Sequence, residues 1–311
     1  MKQKILNTLR KLFGIPQMQW QLNQLQSNQM TKSDYRQFQL WDQILHEQEP
    51  GVTNDKYSDA TVTVSLTTYG RRMKEAALAI ESIMQQTMKA NRIVLWLAHE
   101  DYKHIPQSLR MLQARGLEIM ECDDLLSYKK IIPSLRKFPD DVIITIDDDV
   151  FYSPDALDNL VSAYLEAPQH IHCLRTHRVK TDANGIILPY NQWEWGISEP
   201  GPNRRNFFTG CGGVLYPPHC LDEEVLNESV FMKICKHADD VWLNAMALRK
   251  GTLVSKVLTR NPNGEDYVLN ERAQADGLFQ INIRDQMLND RQLKDVFTTY
   301  SLYDKIKGKE D

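Results

Sequence analysis

One stretch limits the fold more than any other: V-I-I-T-I-D-D-D-V-F-Y, from Val142 to Tyr152. Val142, Ile143, Ile144 and Ile146 form a β-favouring run of the kind buried on both faces of a parallel sheet. Three carboxylates, Asp147, Asp148 and Asp149, follow at once. Ligands of open α/β sheets bind at strand carboxyl ends. Adjacent anions there repel one another, and desolvating them is costly unless a cation or hydrogen-bond donors compensate. Hard oxygen ligands of this kind suit Mg²⁺ or Mn²⁺, with a substrate diphosphate completing the shell. The plainer reading is a solvated acidic turn ahead of a helix starting near Pro154.

The segment upstream agrees with such a sheet. Residues 60 to 66 read as a first strand, and a polar loop, T-T-Y-G-R-R (Thr67 to Arg72), follows. A helix is expected from about Met73 to Thr87, with Ala76, Ala77, Ile80, Ile83 and Met84 on its apolar face. Arg92 to Leu97 is the second strand, which makes a β-α-β unit with a right-handed crossover. A helix over 105–115 and a short strand from Leu117 to Met120 come next. Glu121, Cys122, Asp123 and Asp124 then end that strand at the same carboxyl edge. Ser127 to Lys137 is a basic helix candidate in which Lys129, Lys130 and Arg136 could neutralise phosphate. Arg71 and Arg72 suit a phosphate or base-edge contact, or a solvated helix start.

Beyond the acidic triad, Pro154 opens a helix to about Glu166, and Ile171 to Val179 reads as a strand. Asn184-Gly185 signals a hairpin between two strand-like runs. Tyr190, Trp193 and Trp195 lie in a polar loop, where they could stack on sugar faces or cover the core. Phe207 to Pro218 holds Gly210, Gly212 and Gly213 in a strand-like run, which implies close backbone approach to a ligand or a tight bend. Asp239 and Asp240 open a helix ended by Gly251, as caps or as an anchor or base for an acceptor hydroxyl. Leu253 to Leu258 is expected as the final strand, with loops and helix after it.

At the other end of the chain, residues 2 to 13 place Ile5, Leu9, Leu12 and Phe13 at helical spacing among Lys2, Lys4, Arg10 and Lys11. Such a helix can lie in an anionic membrane surface, or dock on its own domain or on a partner. Ten glutamines fall between Gln17 and Gln48, interleaved with aromatic and aliphatic residues suited to packed helices. Pro50, Gly51 and Asn54 mark a break. A helical extension over 1–50 and a main unit over 51–311 are therefore expected, the latter with parts at about 60–150 and 151–260 and a tail at 261–311.

The net charge of −4 over 311 residues gives no footprint for nucleic acid. Five scattered cysteines, with no C-x-x-C pair, point to reduced thiols and a cytoplasmic setting, peripheral at the membrane if residues 2–13 bind there.

V-S-L-T-T-Y-G-R-R, S-Y-K-K-I-I-P, I-T-I-D-D-D-V-F-Y, T-G-C-G-G-V-L-Y-P-P and H-A-D-D-V-W occur in that order between residues 60 and 260. Together they resemble the GT-A glycosyltransferases, above all bacterial surface-polysaccharide transferases of the family-two and exostosin-like kind. The resemblance implies a Rossmann-like, mixed but mostly parallel sheet flanked by helices. It implies transfer from a nucleotide sugar, a UDP-sugar first, to a glycan or lipid-linked glycan acceptor. By the same resemblance Thr67, Thr68, Tyr69 and Arg71 would hold base and ribose, with Asp123 or Asp124 touching the nucleoside and Lys129 the phosphates. Asp147 and Asp149 match the ends of a D-x-D motif: Asp147 would lie toward the ribose or the metal, Asp149 would bind Mn²⁺ or Mg²⁺ directly, and Asp148 would reach the sugar. Gly212 and Gly213 would line the donor and acceptor pocket. Asp239 and Asp240 match the acidic pair that faces the acceptor, where the family carries glutamate-aspartate, and His237 is a candidate further ligand. Two other readings stand beside this one: a sugar-phosphate nucleotidyltransferase, and a non-catalytic glycan-binding protein on the same fold. The first would carry a glycine-rich basic loop after the first strand, and T-T-Y-G-R-R has one glycine.

Overall fold

The computed structural model describes residues 31–183, 185–258, 266–271, 273 and 288–306. The basic segment 2–13 and the glutamines before residue 31 lie outside them. The fold is mixed α/β, built on an eight-stranded, mostly parallel sheet with helices on its faces.

The N-terminal half follows the pattern of its apolar runs. β1 (Val62–Thr67), β2 (Arg92–Ala98), β3 (Leu117–Cys122) and β4 (Val142–Thr145) pair in parallel in the order β3-β2-β1-β4. Val64 sits between Ile93 and Ile144, and all three are buried, as a two-sided core requires. The Met73–Met84 helix crosses from β1 to β2, and nearly every residue of it is buried. The Lys32–His46 helix starts on a capping box in which Thr31 and Asp34 each accept the other's backbone N–H. Its Leu40 and Ile44 enter the same core as β1 and β4.

After β4 the chain turns through the acidic triad into β5 (Val150–Tyr152). The Ala156–Glu166 helix follows. The expected strand from Ile171 to Val179 is two strands, β6 (Ile171–Cys173) and β7 (Thr176–Arg178), in different sheets. Leu174 and Arg175 form the break between them. At the expected hairpin a bridge, Thr181 to Ile187, joins the two runs, with the Asp182 N–H donating to Ile186 O at 2.8 Å and the Leu188 N–H to Lys180 O at 2.9 Å; Asn184 lies outside the described residues. β8 (Gly201–Asn203) and β9 (Asn206–Phe208) follow, and β9 pairs with β7. β10 (Val214–Tyr216) enters the main sheet antiparallel, with Val214 opposite Thr145 on one side and Cys173 on the other. This reversal brings the start of β10 to the edge where β4 and β6 end. β11 (Val254–Lys256) pairs in parallel with β6. It is not the last strand: β12 (Tyr267–Leu269) pairs with β5. The basic stretch over 127–137 is also two elements, a tight turn at Leu126–Lys130 and a helix at Ile132–Lys137, with Pro133 in the helix's first turn. Among the described residues, no helix is long and apolar enough to cross a membrane.

Candidate active site

The carboxyl ends of β1, β2, β3, β4 and β6, the start of β10 and the first turn of the Asp239–Lys250 helix meet at one edge of the sheet. They enclose a cleft of about 970 Å³, within the size range of small-molecule sites. Thr67, Tyr69, Asp124, Lys129, Asp147, Asp148, Asp149, Asp239 and Asp240 all line it. Thus five sequence motifs far apart in the chain converge in one place.

Asp148 and Asp149 are held by one guanidinium. Arg72 donates from Nη2 to Asp148 Oδ1 and from Nε to Asp148 Oδ2 at 3.1 Å, and it pairs with Asp149 Oδ2 at 3.0 Å. Thr68 Oγ1 adds a 2.6 Å bond to Asp148 Oδ2. Asp148 thereby accepts three hydrogen bonds and anchors the turn, buried but still on the cleft wall. A second cation joins the two halves of the site. Lys130 Nζ lies 2.8 Å from Asp147 Oδ1 and 3.0 Å from Asp239 Oδ2. Burial disfavours its charge, but Asp147, Asp239 and Asp240 outweigh that and hold its pKa well above the usual lysine range.

The two remaining acids are strained in the opposite sense. Burial, then the charges of Asp147 and Asp148, push Asp149 up to about 6 against the pull of Arg72. Burial, then the charge of Asp239, push Asp240 up to about 7, opposed by Lys130. The Gly210 N–H donates to both Asp240 oxygens, at 3.1 and 3.2 Å. A Cβ on Gly210 would lie 2.6 Å from Lys130 Nζ, so glycine is what lets the backbone come this close.

Several expected contacts fall elsewhere. Arg71 is exposed and is not on the cleft wall; its neighbour Arg72 is the residue that serves the acids. Asp123 is also exposed and pairs with His99 Nε2 at 3.1 Å, leaving Asp124 on the wall, where it pairs with Lys129 Nζ at 2.6 Å. Thr68 supports the site from behind. Gly212 and Gly213 do not line the cleft. A Cβ on Gly212 would lie 2.4 Å from Arg175 Cβ, and Gly213, at φ +88°, packs beside Tyr152. The close approach these glycines permit is to the protein itself. Trp193 is buried and donates to Leu188 O at 2.8 Å, whereas Trp195 is exposed on the wall. His237 is on the wall too. Asp101 and Arg175 were not singled out by sequence reasoning, whereas Arg72 and Lys130 were named there as phosphate contacts and not as partners of the acids.

Seven aspartates line the cleft against four lysines and arginines, so a further cation is electrostatically favoured. No group of three His, Cys, Asp or Glu side chains is gathered as a metal cage among the described residues. The donors fit a divalent ion held by one or two carboxylates, Asp147 and Asp149, with substrate oxygens filling the shell, as Mg²⁺ commonly is.

No family model matches the chain, and no curated protein matches it. Among solved structures, the chain is similar to a CMP:2-keto-3-deoxy-manno-octonic acid synthetase complexed with CTP. That match has 12% identity over 73% of this chain and 100% of that one, with a TM-score of 0.41. It is similar also to a 4-diphosphocytidyl-2C-methyl-D-erythritol synthase, at 9% identity over 73% of this chain and 99% of that one, again with a TM-score of 0.41. At these scores neither likeness bears on what this chain acts on.

Proposed function

We propose that this chain is a metal-dependent transferase using a nucleotide-activated sugar, and that it passes the sugar to a glycan acceptor. The observation that carries the reading is Lys130. It ties the acids after β4 to the acid pair heading the Asp239–Lys250 helix, so that both line one cleft.

In this reading Thr67, Tyr69 and Asp124 hold the nucleoside. Asp147 and Asp149 hold Mn²⁺ or Mg²⁺ against the diphosphate. The ion would supply electrostatic stabilisation of the departing nucleoside diphosphate. Asp240 is the group to take the proton of the acceptor hydroxyl, because an acid held to about 7 can do so near neutral pH. The Gly210 N–H keeps it in place.

A sugar-phosphate nucleotidyltransferase is the second reading. The cations Arg72, Lys129, Lys130 and Arg175 line the cleft, and a triphosphate would use such charge. Three of them are already tied to carboxylates, Arg72 to Asp148 and Asp149, Lys129 to Asp124, and Lys130 to Asp147 and Asp239. The basic residue after β1 is therefore spent on the protein's own acids, and glycosyl transfer is put first.

The test is a substrate panel with Mn²⁺ present. Nucleoside diphosphate released from one nucleotide sugar supports the first reading. Pyrophosphate released from CTP or another triphosphate together with a sugar phosphate replaces it with the second.

A further inference from the structure

We propose that the part of the cleft wall built from Arg175, Tyr190 and Trp195 is an acceptor subsite for an anionic sugar. Trp195 stacks on the sugar ring, and Arg175 binds its carboxylate or phosphate. This deepens the glycosyl-transfer reading and rests on it.

Arg175 differs from the other cations of the cleft. Its Nη1 donates to Thr209 Oγ1 at 2.7 Å and contacts Cys211 Sγ at 3.6 Å. Gly212 packs against its backbone and Cβ, which fixes the base of the side chain. Among the described residues no carboxylate forms a salt bridge with it, although seven aspartates line the same cleft. Burial disfavours its charge, and nearby groups, Asp240 among them, offset that through space, so a guanidinium with no carboxylate in direct contact offers a fork of donors suited to carboxylate or phosphate.

Trp195 is half exposed yet rigidly held. Its indole Nε1 donates to Tyr190 O at 3.1 Å, and its ring stacks on His177 at 5.1 Å and 23°. Tyr190 meets the same ring edge-on at 5.5 Å. His177 is a neutral platform: its Nδ1 accepts the Gly196 N–H at 3.0 Å, and burial with the Arg175 charge pushes its pKa down to about 4. A tryptophan fixed in place while exposed on a cleft wall loses little entropy on meeting a ligand. Its flat apolar face matches the C–H face of a pyranose, and the adjoining guanidinium matches an acidic substituent.

The test uses the full chain with UDP and Mn²⁺, titrated with three probes and followed by calorimetry and tryptophan fluorescence. The probes are a uronic-acid tetrasaccharide, the same tetrasaccharide after carboxyl reduction, and a phosphorylated tetrasaccharide. One anionic probe is expected to bind at least roughly 10-fold tighter than the reduced one, as a charge-assisted contact should. Which of the two binds tells carboxylate from phosphate. Arg175→Gln is expected to erase the preference, and Arg175→Lys to keep part of it. Trp195→Ala is expected to weaken every probe and abolish the fluorescence change. Equal affinity for all three probes, no binding of any, or an unchanged preference in Arg175→Gln overturns the proposal. The thermal shift given by UDP and Mn²⁺ is read on the same samples, so failure of donor binding is distinguished from failure of this subsite.

Discussion

Lys130 Nζ stands 3.0 Å from Asp239 Oδ2, and these two buried residues come from opposite halves of the chain. The contact is possible because β10 runs antiparallel between β4 and β6, which delivers the Gly210 turn and the helix behind it to the edge where Lys130 lies. Removing the ammonium leaves Asp147 and Asp239 without their shared partner. Lys130→Met is expected to lower stability by about 3–5 kcal/mol near neutral pH, the usual cost of an orphaned buried charge. Urea denaturation reads this loss. The deficit should shrink when Asp239→Asn is added, because one of the two stranded charges is then gone. A deficit unchanged by that second substitution would show that packing, not charge, is what Lys130 supplies.

Asp240 sets a pH dependence of known sign. The unfolded chain loses this proton near the ordinary aspartate value of about 4, while the folded chain holds it up to about 7. Between those values the folded state binds more protons, so stability falls as pH rises through the window and the loss is complete above it. Asp149, held up to about 6, adds to the same slope over its lower part. Asp240→Asn in chelator should therefore melt higher than the parent at pH 8 and match it near pH 4. Parallel melting curves across that range would remove Asp240 as a strained acid.

Asp149→Asn is expected to cut sugar transfer by roughly 100-fold or more, the scale of losing one electrostatic group aimed at a developing charge. Its melting temperature in chelator should not fall, because Arg72 keeps its two bonds to Asp148 and a charge disfavoured by burial is removed. Excess chelator should stop transfer by the parent chain, and added Mn²⁺ should restore it. Turnover that survives both treatments contradicts a divalent ion at this turn.

Away from the cleft, Glu81 is fully buried in the Met73–Met84 helix and pairs with Arg115 Nη1 at 2.6 Å. Gln85 Nε2 donates to its other oxygen at 2.6 Å. Arg115→Ala should cost about 3–5 kcal/mol in urea denaturation by stranding that carboxylate. Glu81→Gln with Arg115→Ala should recover part of it, since no charge is then buried alone. Additive losses in the double variant would mean that the pair is not coupled.

The chain by itself was explicit about its first half. Apolar runs, their spacing and the acids that end them are local properties, and local properties set β1 to β4, the helix between β1 and β2, and the carboxyl edge on which Asp124 and the triad stand. The same holds for Asp239 and Asp240 at the head of their helix. What only the tertiary structure decided is which neighbour in each pair of like residues faces the cleft: Arg72 and not Arg71, Asp124 and not Asp123. It also decided that Lys130 spans two acids, and that Gly212 serves Arg175. A step of one residue turns a side chain to a different face, and the partner that settles the choice lies 76 residues away for Arg72 and Asp148. Charge pairing across such distances leaves no periodic trace along the chain, because it is selected by the closed sheet and not by neighbours in sequence.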